Sequence, residues 1–305
     1  MIGNALDSIR SQTLRPLEVI VCDDGSTDSI ETALIPYRDE IVLLRQENRG
    51  ESAARNAAAR AASGDFVAIL DADDVYRPGY LAAVSELAEL RPDLDILTTN
   101  GVLVADDVEV RQLYNRGWSF EVADQRRAIL QRNFVFGLAA VRRSALLEQG
   151  GFDESIIWTE DWDLWLRLIL AGSGAGCVDE PLAEYRLRET SLTTRRRELL
   201  LGKIGTLEKA RANASLRAEE RVVLEQSIAG YRRELAFQDL TAAVAAGEGG
   251  TRRRTAALLL SPGFDRRRRM ELLGMTLAPP IAARVLRRRA RDSWVGAGGI
   301  RVKRR

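Results

Sequence analysis

Histidine is absent from all 305 residues. That excludes Ser-His-Asp triads, imidazole metal ligands and histidine general bases, and leaves carboxylates as the acid–base and metal-binding groups. Cysteine is nearly absent too, with Cys22 and Cys177 far apart. Cys22 ends the apolar run Val19-Ile20-Val21, and both read as reduced packing residues rather than a disulfide. No apolar run reaches the roughly 18 residues of a membrane span, and the N-terminus lacks the basic and apolar regions of a secretory signal. No spanning or exported segment is therefore expected, and the chain is placed in the cytoplasm or on the inner face of the membrane. Hydrophobic side chains at 46% exclude a disordered chain and predict one large domain with an appendage.

A net charge of +1 conceals a division. Residues 251–305 hold 16 Arg and Lys against three acids, a surplus of 13, while residues 1–250 hold 29 against 41, a deficit of 12. The two parts meet different surroundings.

The body is organised around Phe66-Val67-Ala68-Ile69-Leu70, introduced by Gly64-Asp65 and followed by Asp71-Ala72-Asp73-Asp74. Five consecutive apolar residues predict a strand buried on both faces. Carboxylates crowding a strand's exit sit where α/β sheets bind ligands, and oxygen donors alone suit Mg²⁺ or Mn²⁺ shared with a substrate phosphate. A solvated acidic turn ahead of the helix after Pro78 fits the spacing as well. Upstream, Leu17–Cys22 predicts a strand running into Asp23-Asp24-Gly25-Ser26-Thr27-Asp28, a loop fit for a nucleoside and equally for a plain strand-to-helix turn. A third strand at Ile41–Leu44 precedes Asn48–Asn56 and an Ala-rich helix to Ala62. That puts Arg55 on the first helical turn, beside a diphosphate or simply at the surface. Strands alternating with helices predict an α/β fold with a mostly parallel sheet in three layers.

The segments E-V-I-V-x-D-D-G-S-T-D, N-x-G-x-S-x-A-R-N and G-D-F-V-A-I-L-D-A-D-D, in this order, resemble the family-2 inverting nucleotide-sugar glycosyltransferases of the GT-A fold. Gly150-Gly151-Phe152-Asp153-Glu154 and Glu160-Asp161-Trp162-Asp163-Leu164-Trp165 extend the likeness to about residue 193. The resemblance implies that Asp24 contacts the nucleobase, Asp71 the ribose and diphosphate, and Asp73 a Mn²⁺ or Mg²⁺ ion. Asp161 is implied as catalytic base, with Arg55 and Glu160 as substrate-binding groups. Asp161 can equally serve the dipole of the helix it opens.

Two departures stand out. The family's first strand, central in its sheet, precedes the helix in which this sequence starts, so a groove with unpaired ladder groups on both sides is expected, and a start assigned too late is favoured over a remnant gene. The family's Y-R-x-H is Tyr185-Arg186-Leu187-Arg188 here, so Arg188 can meet phosphate but cannot ligate a metal.

The expected division is a catalytic domain at 1–194, a helical extension at 195–246 and an Arg-rich, partly amphipathic tail at 247–305. Basic clusters beside Ala256–Leu260, Met270–Leu277, Ile281–Leu286 and Trp294 suit an anionic membrane, with a solvated tail as the alternative; no nucleic-acid module accompanies them. The expected partners are a nucleotide-diphosphate sugar and a saccharide or lipid-linked acceptor, in cell-envelope or extracellular polysaccharide synthesis. A catalytically impaired binding or scaffold protein is the alternative. A nucleotidyltransferase would share sheet and metal, but the Glu160-Asp161 segment argues against it.

Overall fold

The computed structural model describes residues 1–115, 118–187, 195–296 and 300–303, with side-chain surroundings through Arg288. The chain forms two compact units, Met1–Arg188 with Thr206–Leu224, and Glu189–Gly205 with Glu225–Arg305.

The first unit opens with α1 (Ile2–Arg10), whose Ile2, Leu6 and Ile9 recur at helical spacing and pack with Val21, Leu34 and Tyr37. Next come β1 (Ile20–Asp23), α2 (Ile30–Leu34), β2 (Val42–Arg45) and α3 (Glu51–Ala61). β1 and β2 pair in parallel and form a two-stranded sheet of their own. Then follow β3 (Phe66–Ala68), β4 (Val75–Tyr76), α4 (Tyr80–Leu90), β5 (Leu94–Ala105), β6 (Val108–Gln112), α5 (Gln125–Gln131), β7 (Ala140–Arg142), α6 (Arg143–Glu148), α7 (Glu160–Ala171) and β8 (Gly174–Leu187). Six of these strands make a second sheet in the order β3-β7-β5-β8-β4, with β6 on β5.

The α/β class stands, but the sheet is not mostly parallel. Among the described residues only β1–β2 and β5–β8 run parallel; the other pairings in this unit are antiparallel. The reason is in the connections: β5 and β6 are joined by the two-residue turn Asp106-Asp107, both at positive φ, and such a tight link permits only an antiparallel return. β5 is the core strand, buried along nearly its whole length, with Ile96 opposite Val141 of β7; Leu97, Leu103 and, on α7, Trp162 and Trp165 are buried as well.

The strand expected at Phe66–Leu70 is shorter and less covered than its apolar run implied. Pairing with β7 ends at Ala68, and Ala68 is exposed. Ile69 still donates its N–H to the Ala139 carbonyl, but its own carbonyl accepts from the Tyr76 hydroxyl, which turns the chain out of the ladder. Along its other edge β3 has no strand partner among the described residues, and neither has β1. Between them lies a cavity of about 530 Å³, walled by α1 and α3 and by Val19–Cys22 and Phe66–Leu70. The expected groove is thus present.

The second unit contains the first part of α8 (Arg196–Ala210) and the greater part of α9 (Ala218–Ala246), then α10 (Thr251–Leu260), α11 (Arg266–Leu277), α12 (Pro279–Asp292), β9 (Ser293–Gly296) and β10 (Ile300–Lys303). Compactness divides the chain at places other than 194 and 246. Residues 206–224 go with the first unit because Thr206 bonds Thr159, Lys209 pairs with Asp153 and Asp163, and Glu220 pairs with Arg126. The second unit has its own core of Phe237, Leu240, Val244, Leu272, Met275 and Ala283, against which Leu258 and Leu286 pack. Gly247-Glu248-Gly249-Gly250 is a turn between α9 and α10. No helix among the described residues is long and apolar enough to cross a membrane.

Candidate functional site

Strand exits and the start of α3 bring the site together. Asp23 Oδ1 accepts the Ser26 N–H at 2.9 Å, which folds the D-D-G-S-T-D loop back on its strand. Asp24 reaches across: Oδ1 accepts from Gln46 Nε2 at 2.7 Å and from the Arg49 N–H at 2.9 Å, and Oδ2 from the Gly50 N–H at 2.7 Å. Burial would raise its pKa, but these donors outweigh it and hold Asp24 below the usual carboxylate range. Gly25, at φ +76°, passes so close to the Asn48 backbone that a Cβ would meet it at 2.8 Å, so a side chain there would push the two loops apart.

Arg55 sits on the second turn of α3, with only 15% of its side chain exposed. Its Nη2 meets Asp71 Oδ1 at 2.7 Å and also Glu51 Oε1, its Nη1 meets Glu160 Oε1 at 3.1 Å, and its guanidinium lies 5.3 Å from the Phe152 ring centre. Burial opposes a charge there, yet three carboxylates raise the guanidinium pKa further above its ordinary value. The diphosphate-facing arginine expected from sequence is thus the keystone of a carboxylate cluster. Burial also pushes Glu160 up to about 7. Arg55 Nε and Glu160 Oε2 are buried without a hydrogen-bond partner, an arrangement suited to a polar ligand.

The structure also explains Asn56 of the same motif. Its amide clamps Phe152, donating to the carbonyl at 2.9 Å and accepting from the N–H at 2.7 Å. Gly151, at φ +76°, makes room, since a Cβ would lie 2.3 Å from Asn56 Oδ1. This clamp holds the G-G-F-D-E segment, and with it the approach to α7, against α3.

α7 begins with Glu160, Asp161 and Asp163 in its first turn, where the helix dipole favours anions. Asp161 Oδ2 accepts from Asn133 Nδ2 at 2.9 Å and Oδ1 from the Trp162 N–H at 2.6 Å. Its pKa is raised, chiefly by burial. Asp163 is buried and doubly paired, with Arg167 Nε and Lys209 Nζ each at 2.8 Å.

Of the D-A-D-D carboxylates, Asp71 belongs to Arg55, while Asp74 is buried, accepts the Arg186 N–H at 2.8 Å and has its pKa raised by burial and by Asp71. Asp73 is half-buried. Among the described residues no three His, Cys, Asp or Glu groups form a ready metal cage. Asp73 fits a cation that keeps waters and takes phosphate oxygens from a substrate, the usual habit of Mg²⁺. Arg188 lies outside the described residues. Sequence reasoning missed Glu51, whose place in the N-x-G-E-S-x-A-R-N stretch was the available signal, and Asn133, which had none.

Residues 1–150 match the family described as Glycosyl transferase family 2. An uncharacterized glycosyltransferase of Rickettsia prowazekii is 30% identical over 174 residues, covering 55% of this chain and 54% of the relative. Chondroitin synthase of Escherichia coli is 30% identical over 177 residues, 56% of this chain and 25% of the synthase. The chain thus spans about half the length of the first of these relatives and a quarter of the second. Among solved structures, S. aureus TarS 1-349 in complex with UDP-GlcNAc superposes with a TM-score of 0.61 at 17% identity, covering 95% of this chain and 87% of that one. The mannosyltransferase PcManGT of Pyrobaculum calidifontis, in complex with GDP-Man and Mn²⁺, gives 0.57 at 22% identity, covering 93% and 82%. These likenesses establish the GT-A fold.

Proposed function

The chain belongs to glycosyl transferase family 2 through residues 1–150, and from that premise we propose that it moves a sugar from a nucleoside-diphosphate donor to an acceptor hydroxyl with inversion at the anomeric carbon. The observation that supports this best is the convergence at the strand exits: Arg55 joins Asp71, at the end of the β3 segment, to Glu160, and the hydrogen-bonded Asp161 follows directly. Asp161 accepts the acceptor hydroxyl's proton as that oxygen attacks. Its raised pKa makes it a better base for this than an ordinary aspartate. A single displacement, with no covalent intermediate, inverts the configuration.

Asp24 faces the nucleobase side and Asp71 the ribose and diphosphate. Asp73 would hold Mn²⁺ or Mg²⁺, and such an ion would supply Lewis-acid neutralisation of the departing nucleoside diphosphate. Arg55 keeps Asp71 and Glu160 in place and, with an Nε that has no hydrogen-bond partner among the described residues, remains assigned with Arg188 to the donor's phosphates.

The donors held by the structural relatives supply the probes. The full chain incubated with UDP-GlcNAc or GDP-Man and an acceptor mixture is expected to release UDP or GDP in the presence of Mn²⁺. Release should stop with a chelator and fall sharply in Asp161→Asn and Asp73→Ala. Release indifferent to both the chelator and Asp161→Asn would exclude this mechanism. The split between the β1–β2 sheet and β3 favours a second reading, a chain that binds donor without turnover; calorimetric donor binding with no nucleotide release would select it.

For the second unit we propose adsorption to an anionic membrane surface carrying a lipid-linked or envelope-directed acceptor, at a cytoplasmic face. Exposed Leu260, Met270, Leu277, Ile281 and Val285 near exposed Arg252–Arg254, Arg266, Arg267 and Arg287 support this. Leu258 and Leu286, expected on that surface, pack inside the unit instead, and the side chain of Trp294 lies outside the described residues.

A further inference from the structure

We infer that Asn133 is the positioning residue of Asp161, holding its carboxylate ionised and aimed by donating a hydrogen bond to Oδ2. This rests on the reading of Asp161 as the general base. Asn133 lies after α5, in a stretch whose next residues, Phe134, Val135 and Phe136, are buried at 5% exposure or less. Its backbone is held as well, since its carbonyl accepts the Trp118 indole N–H at 2.8 Å.

The side-chain amide is fixed in orientation. Oδ1 accepts the Val135 N–H at 3.2 Å, which turns the NH₂ group toward Asp161, 2.9 Å away. A flipped amide would set one oxygen against the carboxylate and leave the Val135 N–H facing a donor, so only one orientation satisfies both neighbours. The same loop cups the carboxylate further on, where a Cβ at Gly137 would stand 3.3 Å from Asp161 Oδ2. With Oδ1 bonded to the Trp162 N–H, both oxygens have a donor that fixes the plane of the group, and each still has a lone pair for an incoming hydroxyl.

The charges around Asp161 come from three elements. Arg55 and Glu51 lie on α3, Glu160 precedes it on α7, and the Asn133 amide comes from the loop after α5. Burial favours the protonated acid; the Trp162 N–H, Arg55 and Asn133 favour the carboxylate, and Glu51 opposes it. Asn133 is the neutral member of the set, so its removal takes one donor from Asp161 and the acceptor from the Val135 N–H without altering the cluster's net charge.

The test uses the full chain and two readouts. Carbon-detected NMR titration of the Asp161 carboxyl should show its midpoint moving up by about one pH unit in Asn133→Ala, because the ionised form loses a donor. Nucleoside diphosphate release from UDP-GlcNAc or GDP-Man, followed from pH 5 to 9, should show its acid limb moving by the same amount, with donor KM little changed. Asn133→Asp keeps the shape and the acceptor for the Val135 N–H but sets a carboxylate against Asp161, so it should be slower than Asn133→Ala near neutrality. A merely structural asparagine would give the reverse order. An unmoved Asp161 titration in Asn133→Ala would overturn the inference whatever the turnover, whereas full turnover in Asp161→Asn would overturn the base assignment and leave the titration result standing. If Asn133→Asp fails to fold, the titration of Asn133→Ala decides alone.

Discussion

Arg55 and the arginines of α10–α12 are the same side chain in opposite settings. Arg55 is mostly buried, contacts Glu51, Asp71 and Glu160, and lies against Phe152. Arg252, Arg253 and Arg254 are exposed; their recorded contacts include Arg252 to the Leu277 carbonyl at 3.3 Å and Arg254 to Glu248 at 3.8 Å. In the first setting the charge is needed because Glu160, with 12% of its side chain exposed, has little water to solvate it in place of the guanidinium. In the second, each charge is nearly independent of the fold and acts through the summed field of the cluster. The sequence composition records only arginine in both places.

Four experiments break or sharpen this contrast. The largest effect is expected where the buried cluster meets chemistry: Asp161→Asn should lower turnover by about 10²–10⁴-fold with donor affinity nearly unchanged, read by steady-state kinetics and calorimetry. Next, Arg55→Ala should cost about 3–5 kcal/mol in urea unfolding because it breaks the buried pair with Glu160, whereas Arg253→Ala should stay within about 0.5 kcal/mol. Equal losses at both positions would erase the contrast.

The exposed set should dominate in a different assay. Charge reversal of Arg252–Arg254 should weaken sedimentation with anionic vesicles at low salt by about 1 kcal/mol per basic residue, and the difference should shrink as salt rises. Sedimentation that ignores the reversal would return these helices to a solvated surface.

The smallest effect is on pH dependence. Glu160 is held at about 7 against an ordinary 4.5, so the folded state keeps a proton that the unfolded chain releases. The stability it contributes is full below about 4.5 and is lost as pH rises through about 7. Glu160→Gln should therefore show a fall in Tm between pH 5 and 8 that is smaller than that of the parent by about 2–4 °C. An unchanged slope would mean that Glu160 titrates normally.

Much of the site was legible because its chemistry is local. A strand followed by D-D-G-S-T-D, or by D-A-D-D, states its carboxylates in consecutive positions, and helical spacing at Ile2, Leu6 and Ile9 predicted α1 as it stands. The pairing of strands was not legible. The apolar run at Phe66–Leu70 reads alike for a buried central strand and for a short edge strand beside a cavity, since hydrophobicity reports removal from water and not which backbone supplies the ladder. Leu258 and Leu286 illustrate the same limit in the second unit, where helical spacing could not say which apolar residues face the core.

The sequence by itself determined the kinds of group available: carboxylates without histidine, a reduced chain, an acidic body and a basic end. Tertiary structure alone decided what those groups are. It put Arg55 among three carboxylates from α3, the β3 exit and α7, pushed Glu160 up to about 7, and set the Asn133 amide on Asp161. The physical reason is that a side chain's charge state and partners depend on distance and on exclusion of water, and residues 55, 71, 133 and 160 share neither until the chain has folded.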